Sequence, residues 1–217
     1  MNISIIGGAD GPTAIFLAGK FEHTFFIAAF LILLLFYGVY FAKKIVQRQR
    51  GIVTRQLGRG KEKNVRITEI IVSAATTLIV PAELISIIEN WNAMPMGIRI
   101  AGIVIGLSGD LIFLIAVLTM KDSWRAGIPD KDKTEFVSEG IYRYSRNPAF
   151  LGFDMMYIGI LLMYFNWLLL AFTIWAIVML HMQILQEEKY LVKVFGDEYL
   201  EYRKQTCRYL GRRKNFT

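Results

Sequence analysis

The sequence predicts an all-α fold, a polytopic membrane helical bundle with about five transmembrane helices and a cytoplasmic C-terminal helix. Three observations carry that prediction. Of the 217 residues, 54% are hydrophobic and the mean hydropathy is +0.41, more apolar than an ordinary soluble domain. Uncharged runs long enough to cross a hydrocarbon core recur along the chain. The Lys and Arg residues collect between those runs: nine in 43–66, six in 121–147 and eight in 183–217, with only Lys20 and Arg99 elsewhere.

The net charge of +7 does not point to nucleic acid, because the basic residues flank apolar spans, where they set topology. One cysteine, Cys207, excludes an internal disulfide framework and a Cys-based zinc site. His23 and His181 lie far apart in sequence, so no metal site is expected.

Taken in order, residues 1–22 form a leader broken by G-G-A-D-G-P, without the basic start of a signal peptide. The run I-G-G-A-D-G-P-T resembles a short segment of the β-subunits of sodium-pumping decarboxylases. An ion-path role for Asp10 would need convergent partners that nothing downstream supplies. Thr24 to Ala42, 19 uncharged residues, predicts the first span. The basic stretch 43–66 carries Gly51, Gly58 and Gly60 and reads as a loop, part of it interfacial helix. Ile67 to Ile88 predicts a second span, with Pro81 inside it and expected to kink it, and the acid Glu83 two residues later. Ile100 to Met120 predicts a third, where Gly102, Gly106 and Gly109 allow close helix contact. These three spans and their basic loop make up residues 23–120.

Pro148 to Met182 is 35 residues long with one charge, Asp154. As one helix it would reach about 52 Å, too long for a core of about 30 Å. Asn166-Trp167 is the natural turn, giving two short spans. With five spans the three basic segments fall on one side, so the positive-inside rule puts the N-terminus outside and the C-terminus in the cytoplasm. The partner implied throughout is the lipid bilayer.

One stretch invites a ligand: Gly140 to Gly152, G-I-Y-R-Y-S-R-N-P-A-F-L-G. Asn147 before Pro148 is a strong helix start, with Asn as cap and Pro at the first helical position. The free N–H groups and positive dipole end there attract a carboxylate or phosphate. Arg143 and Arg146 add positive charge, while Tyr142 and Tyr144 add aromatic faces. The same residue types also serve as plain interfacial anchors.

The tail adds the second half of a pattern. After a 34-residue apolar hairpin comes E-E-K-Y-L-V-K-V-F-G-D-E-Y-L-E-Y-R. Together the halves resemble the isoprenylcysteine carboxyl methyltransferase and phospholipid methyltransferase superfamily of integral membrane enzymes. Their pattern is G-x-Y-x-x-x-R-H-P-x-Y-x-G, a helical hairpin, then E-E-x-x-L-x-x-x-F-G-x-E-Y-x-x-Y. The resemblance covers roughly Ser123 to Tyr202 and marks 121–217 as the catalytic core. It implies S-adenosyl-L-methionine as methyl donor at the cytoplasmic membrane edge, and a lipid-like or isoprenylcysteine-like acceptor.

Carried onto this sequence, the resemblance gives Tyr142, Asn147, Pro148, Ala149, Phe150 and Glu187 as cofactor-binding residues. It adds the run Thr134, Glu135, Phe136 and Val137. Two positions depart from the pattern, Asn147 for histidine and Phe150 for tyrosine. Gln183 stands where prenylcysteine enzymes carry a substrate-binding arginine, which shifts the expected acceptor toward a lipid or other amphiphile. Asp154, one turn past Phe150, is the candidate catalytic group for orienting the acceptor. Arg125 is a candidate for the cofactor carboxylate, and Glu188 reads as solvated. Glu83 and Asp110 are intramembrane acids and so functional candidates.

The alternative class is an NADPH-dependent membrane reductase of the sterol-reductase type. Such reductases resemble the R-Y-S-R-x-P stretch but lack the E-E tail. A small transporter, suggested by G-G-A-D-G-P-T, is disfavoured by five spans without an internal repeat.

Overall fold

The computed structural model describes residues 11–57, 63–128 and 135–212, with side chains described from residue 22 onward. The sequence candidates Asp10 and Thr134 lie outside the described residues. Five helices make the bundle: α1 (Gly11–Gln49), α2 (Lys63–Ile88), α3 (Met96–Met120), α4 (Pro148–Met163) and α5 (Trp167–Gln205). Four of them are long and apolar enough to cross a membrane, and α4 is a shorter apolar helix. The chain is therefore an integral, multi-pass membrane protein, as its composition predicts.

Several boundaries differ from the sequence reading, with α2 starting at Lys63 rather than Ile67 and α3 at Met96 rather than Ile100. α1 starts at Gly11 rather than Thr24 and runs past Ala42 to Gln49, so part of the leader and part of the basic stretch are helical. The second half of the hairpin and the charged tail are one element, α5. It carries a break at Gly196, whose φ of 54° lies in the left-handed region open to glycine. Pro81 sits within a continuous α2.

Helix packing follows the glycines. A Cβ on Gly102 would lie 2.7 Å from the Gly159 carbonyl oxygen, one on Gly109 2.8 Å from that of Gly152, and one on Gly159 2.6 Å from the Gly106 Cα. α3 and α4 thus touch backbone to backbone, the close approach that small residues permit. α1 packs on α3 and α4, whereas α2 packs on α5. Consecutive α1 and α2 therefore have different main partners among the described residues.

At one end of the bundle Arg99 ties three elements together. Its Nη1 donates to Glu22 Oε1 at 2.7 Å, its Nε to the Met163 carbonyl at 3.0 Å, and its guanidinium lies 3.9 Å from the Phe25 ring centroid. Asn166 caps α5, accepting from the Leu169 N–H at 2.9 Å while its Nδ2 donates to Ser86 Oγ at 2.8 Å. The expected turn is thus confirmed, with a side-chain reason for it.

At the opposite, basic end the α1–α2 connection crosses under the segment that follows α3. Gln56 N–H donates to the Ala126 carbonyl and Ala126 N–H to the Thr54 carbonyl, both at 2.9 Å, and Gln47 Nε2 donates to the Trp124 carbonyl at 2.9 Å. These bonds roof the bundle where the candidate site lies.

Candidate functional site

Two cavities adjoin at the basic end. The smaller, about 130 Å³, lies between the 135–150 stretch and the charged half of α5. Glu135, Phe136, Val137, Tyr142, Asn147, Ala149, Phe150 and Glu187 all line it. These residues come from four separate parts of the chain, and the fold brings them to one wall. Pro148 is buried at the first position of α4 but does not line the cavity, so its part is to start the helix.

The larger cavity, about 620 Å³, lies among α1, α2, α4 and α5. Its walls are mostly apolar, and Lys44, Arg55, Arg125 and Gln183 add polar groups toward the basic end. Trp124, Arg125, Gly127, Ala149 and Phe150 line both cavities, so the two share a wall.

Glu187 and Gln183 sit one turn apart on α5, and Gln183 Nε2 donates to Glu187 Oε1 at 3.0 Å. The same amide lies 3.5 Å from Glu69 Oε1, which also accepts from the Ile128 N–H at 3.2 Å. Gln183 therefore stands between the cavities and fixes the Glu187 carboxylate. Tyr142 is buried, and its carbonyl accepts from the Tyr202 hydroxyl at 2.6 Å. Burial, with Tyr202 and Glu187 nearby, pushes its phenol well above the usual range, so it stays neutral. Phe136 stands edge-on to Tyr202, with ring centroids 5.3 Å apart, and 5.2 Å from Phe195.

The start of α4 corrects one expectation. Asn147 occupies the cap position, yet its side chain makes no capping bond. Its Nδ2 donates instead to the Arg208 carbonyl at 3.2 Å, and its N–H to Ser145 Oγ at 3.1 Å. The first-turn N–H groups of α4 are thus not occupied by an asparagine cap.

A second correction concerns Glu188, which is buried rather than solvated. Its Oε1 accepts from Arg146 Nη2 at 2.7 Å, and its Oε2 from Arg208 Nη2 at 2.8 Å. That carboxylate holds the Arg208 guanidinium above its usual range. Arg146 is thereby locked with its Nε buried and without a hydrogen-bond partner among the described residues.

Around this pair, residues 206–212 strap the 140–147 loop. Arg146 N–H donates to the Cys207 carbonyl at 3.0 Å and Gly211 N–H to the Tyr144 carbonyl at 2.7 Å. His181 Nδ1 meets the Tyr209 hydroxyl at 2.6 Å on the same strap.

Asp154 lines neither of the two cavities. Its carboxyl is buried, with Oδ1 unpartnered among the described residues, so the acceptor-orienting position proposed for it has no cavity frontage. Arg143 and Tyr144 are exposed and outside both linings. Arg146, which the sequence joined to the ligand-inviting stretch, lines the smaller cavity, whereas Tyr190, Leu191, Phe195, Tyr199 and Tyr202 line it without having been assigned to a site. A signal existed for two of them: Glu187, Leu191 and Phe195 recur every four residues, one face of a helix before the break at Gly196.

Comparison with known proteins adds an independent line. Residues 98–198 match the family model of phospholipid methyltransferase. The chain is similar to the protein-S-isoprenylcysteine O-methyltransferase of Schizosaccharomyces pombe, 38% identical over 72 residues, covering 32% of this chain and 30% of that protein. It is similar to the protein of the same name from Saccharomyces cerevisiae, 31% identical over 111 residues, covering 49% of this chain and 46% of that protein. The Xenopus laevis protein of that name is 27% identical over 111 residues, covering 50% of this chain and 38% of that protein. The chain thus spans less than half the length of each of these curated relatives. The family model and the names of these relatives agree with the methyltransferase resemblance of the two-part motif.

Proposed function

We propose that this chain, whose residues 98–198 match the family model of phospholipid methyltransferase, transfers a methyl group from S-adenosyl-L-methionine to a lipid-like amphiphile at the cytoplasmic membrane face. The observation that carries the reading is the pair of cavities with a shared wall: a small polar and aromatic one beside a large apolar one. A methyl transfer between a water-soluble donor and a lipid acceptor needs such a junction.

The lining of the smaller cavity fits the donor chemically. Glu187, oriented by Gln183, suits an ammonium group. The free N–H groups at the start of α4 and the unpartnered Arg146 Nε suit a carboxylate. Tyr142 and Phe136 present aromatic faces to a sulfonium. At about 130 Å³ the space is small for a whole nucleoside, so binding it requires the cavity to widen at rim side chains such as Phe136 and Phe195.

When bound, the cofactor supplies an electrophilic methyl group. The protein's own part is alignment and exclusion of water. Trp124, Ala149 and Phe150 in the shared wall fix where donor and acceptor meet, and alignment of this kind supplies much of the acceleration in a displacement. Acceptors reach the larger cavity sideways from the bilayer, between α1 and α2. Lys44, Arg55 and Arg125 favour an anionic head group at its mouth.

The test is calorimetric titration of detergent-solubilised protein with S-adenosylhomocysteine. Saturable binding, lost in Glu187→Ala and weakened in Tyr142→Ala, is the expected result. Binding of NADPH in its place would assign the chain to the reductases.

A further inference from the structure

The buried cluster beside the smaller cavity carries more positive charge than its own packing needs. Glu188 meets two guanidiniums: Arg146 Nη2 lies 2.7 Å from its Oε1, Arg208 Nη2 2.8 Å from its Oε2, and Arg208 Nε 3.1 Å from its Oε1. One carboxylate and two guanidiniums leave a single net positive charge. Among the described residues no second carboxylate pairs with either guanidinium. A buried charge without a counter-ion is costly. Arg146 is the member of the cluster that lines the cavity, its side chain 7% exposed and its Nε without a hydrogen-bond partner among the described residues. An anion in that cavity would complete the cluster.

Arg208 is the member that packing does not call for. Its side chain is 32% exposed, so water would solvate it, and Arg146 already balances Glu188. It belongs to the strap, beyond the 98–198 stretch that matches the family model. The strap also meets the cavity wall through its backbone. The Arg208 carbonyl accepts from Asn147 Nδ2 at 3.2 Å and from Ser145 Oγ at 3.5 Å. Those main-chain bonds survive a substitution at 208, so the side chain can be tested alone. Without it, Glu188 and Arg146 would form a neutral pair, and an incoming anion would meet no net attraction from them.

We propose that Arg208 is a positioning residue for the cofactor carboxylate: by sharing Glu188, it leaves Arg146 the charge and the hydrogen-bonding capacity to hold that carboxylate. The inference rests on the reading of the smaller cavity as the S-adenosyl-L-methionine site. A carboxylate there would take up the net charge of the cluster, in the strong geometry that guanidiniums offer to carboxylates.

The probes are S-adenosylhomocysteine and its decarboxylated analogue, which keeps the amine and lacks the carboxylate. Both are titrated by calorimetry into the full chain in detergent, where the native sequence should prefer the carboxylate-bearing probe. Arg208→Ala should weaken S-adenosylhomocysteine about tenfold, the low end of what a hydrogen bond to a charged group contributes. The decarboxylated analogue should bind this variant as it binds the native sequence, which a merely structural role would not allow. Arg208→Lys keeps the charge and should keep most of the preference. On top of Arg146→Gln, Arg208→Ala should add no further loss, because the residue it acts through is gone.

Equal weakening of both probes in Arg208→Ala overturns the proposal, as does an undiminished preference. A full further loss on top of Arg146→Gln overturns the route through Arg146. If the native sequence binds both probes equally, the carboxylate has no such site, and the reading of the cavity as a nucleoside site still stands. If neither probe binds, that reading and the role of Arg208 fall together.

Discussion

Two glutamates adjacent on a helix point about 100° apart, and Glu187 and Glu188 use that difference. Glu187 lines the smaller cavity, held by Gln183, while Glu188 turns into a buried cluster with Arg146 and Arg208. Their substitutions should therefore separate. Glu187→Ala should lose nucleoside binding with little change in melting temperature. Glu188→Ala leaves the Arg146 guanidinium buried without its carboxylate, a change that costs about 3 kcal/mol in comparable pairs. A lower melting temperature in detergent should precede any loss of binding in that variant, and an unchanged one would refute the structural role of the cluster. The E-E doublet is visible in the sequence, but which glutamate faces the smaller cavity and which faces arginine depends on residues 42 and 20 positions away.

At the scale of the element, the α3–α4 contact is the most demanding in the molecule. A Cβ at Gly159 would sit 2.6 Å from Gly106 backbone atoms, which cannot move aside as a flexible side chain does. Gly159→Ala should therefore destabilise by about 1–3 kcal/mol through overpacking. Gly38→Ala meets nothing within 4 Å and should be neutral or stabilising, by up to about 1 kcal/mol. Thermal denaturation of the two variants side by side checks the contrast. The glycine spacing in α3 was legible as a packing face, because a face is a property of one helix. Its partner was not, since Gly152 and Gly159 show no distinguishing pattern in a sequence so uniformly apolar. The strap of residues 206–212 was not legible either. It binds the 140–147 loop mainly through backbone atoms, which carry no residue signature.

For the whole molecule, the clustering of 23 of the 25 Lys and Arg residues in three segments predicts a cytoplasmic C-terminus. Cys207, the one cysteine of the chain and partly exposed, reports on this directly. A membrane-impermeant maleimide should label it in inside-out vesicles and not in intact cells. Labelling from outside would invert the topology and put the smaller cavity, the proposed cofactor site, on the side without the nucleoside.

The sequence by itself determined what depends on local pattern and composition. It set an all-helical bundle, the break at Asn166-Trp167, the start of α4 at Pro148 and a two-part motif later matched by phospholipid methyltransferase similarity. Only the tertiary structure decided what depends on distant residues meeting. It gave Asn147 a strap carbonyl rather than a cap, buried Glu188 between two arginines, and left Asp154 off both cavities. It also opened a second cavity against the first, with a wall in common. The physical reason is that periodicity states which face of a helix is buried, whereas the neighbour that face meets is fixed by packing among all five.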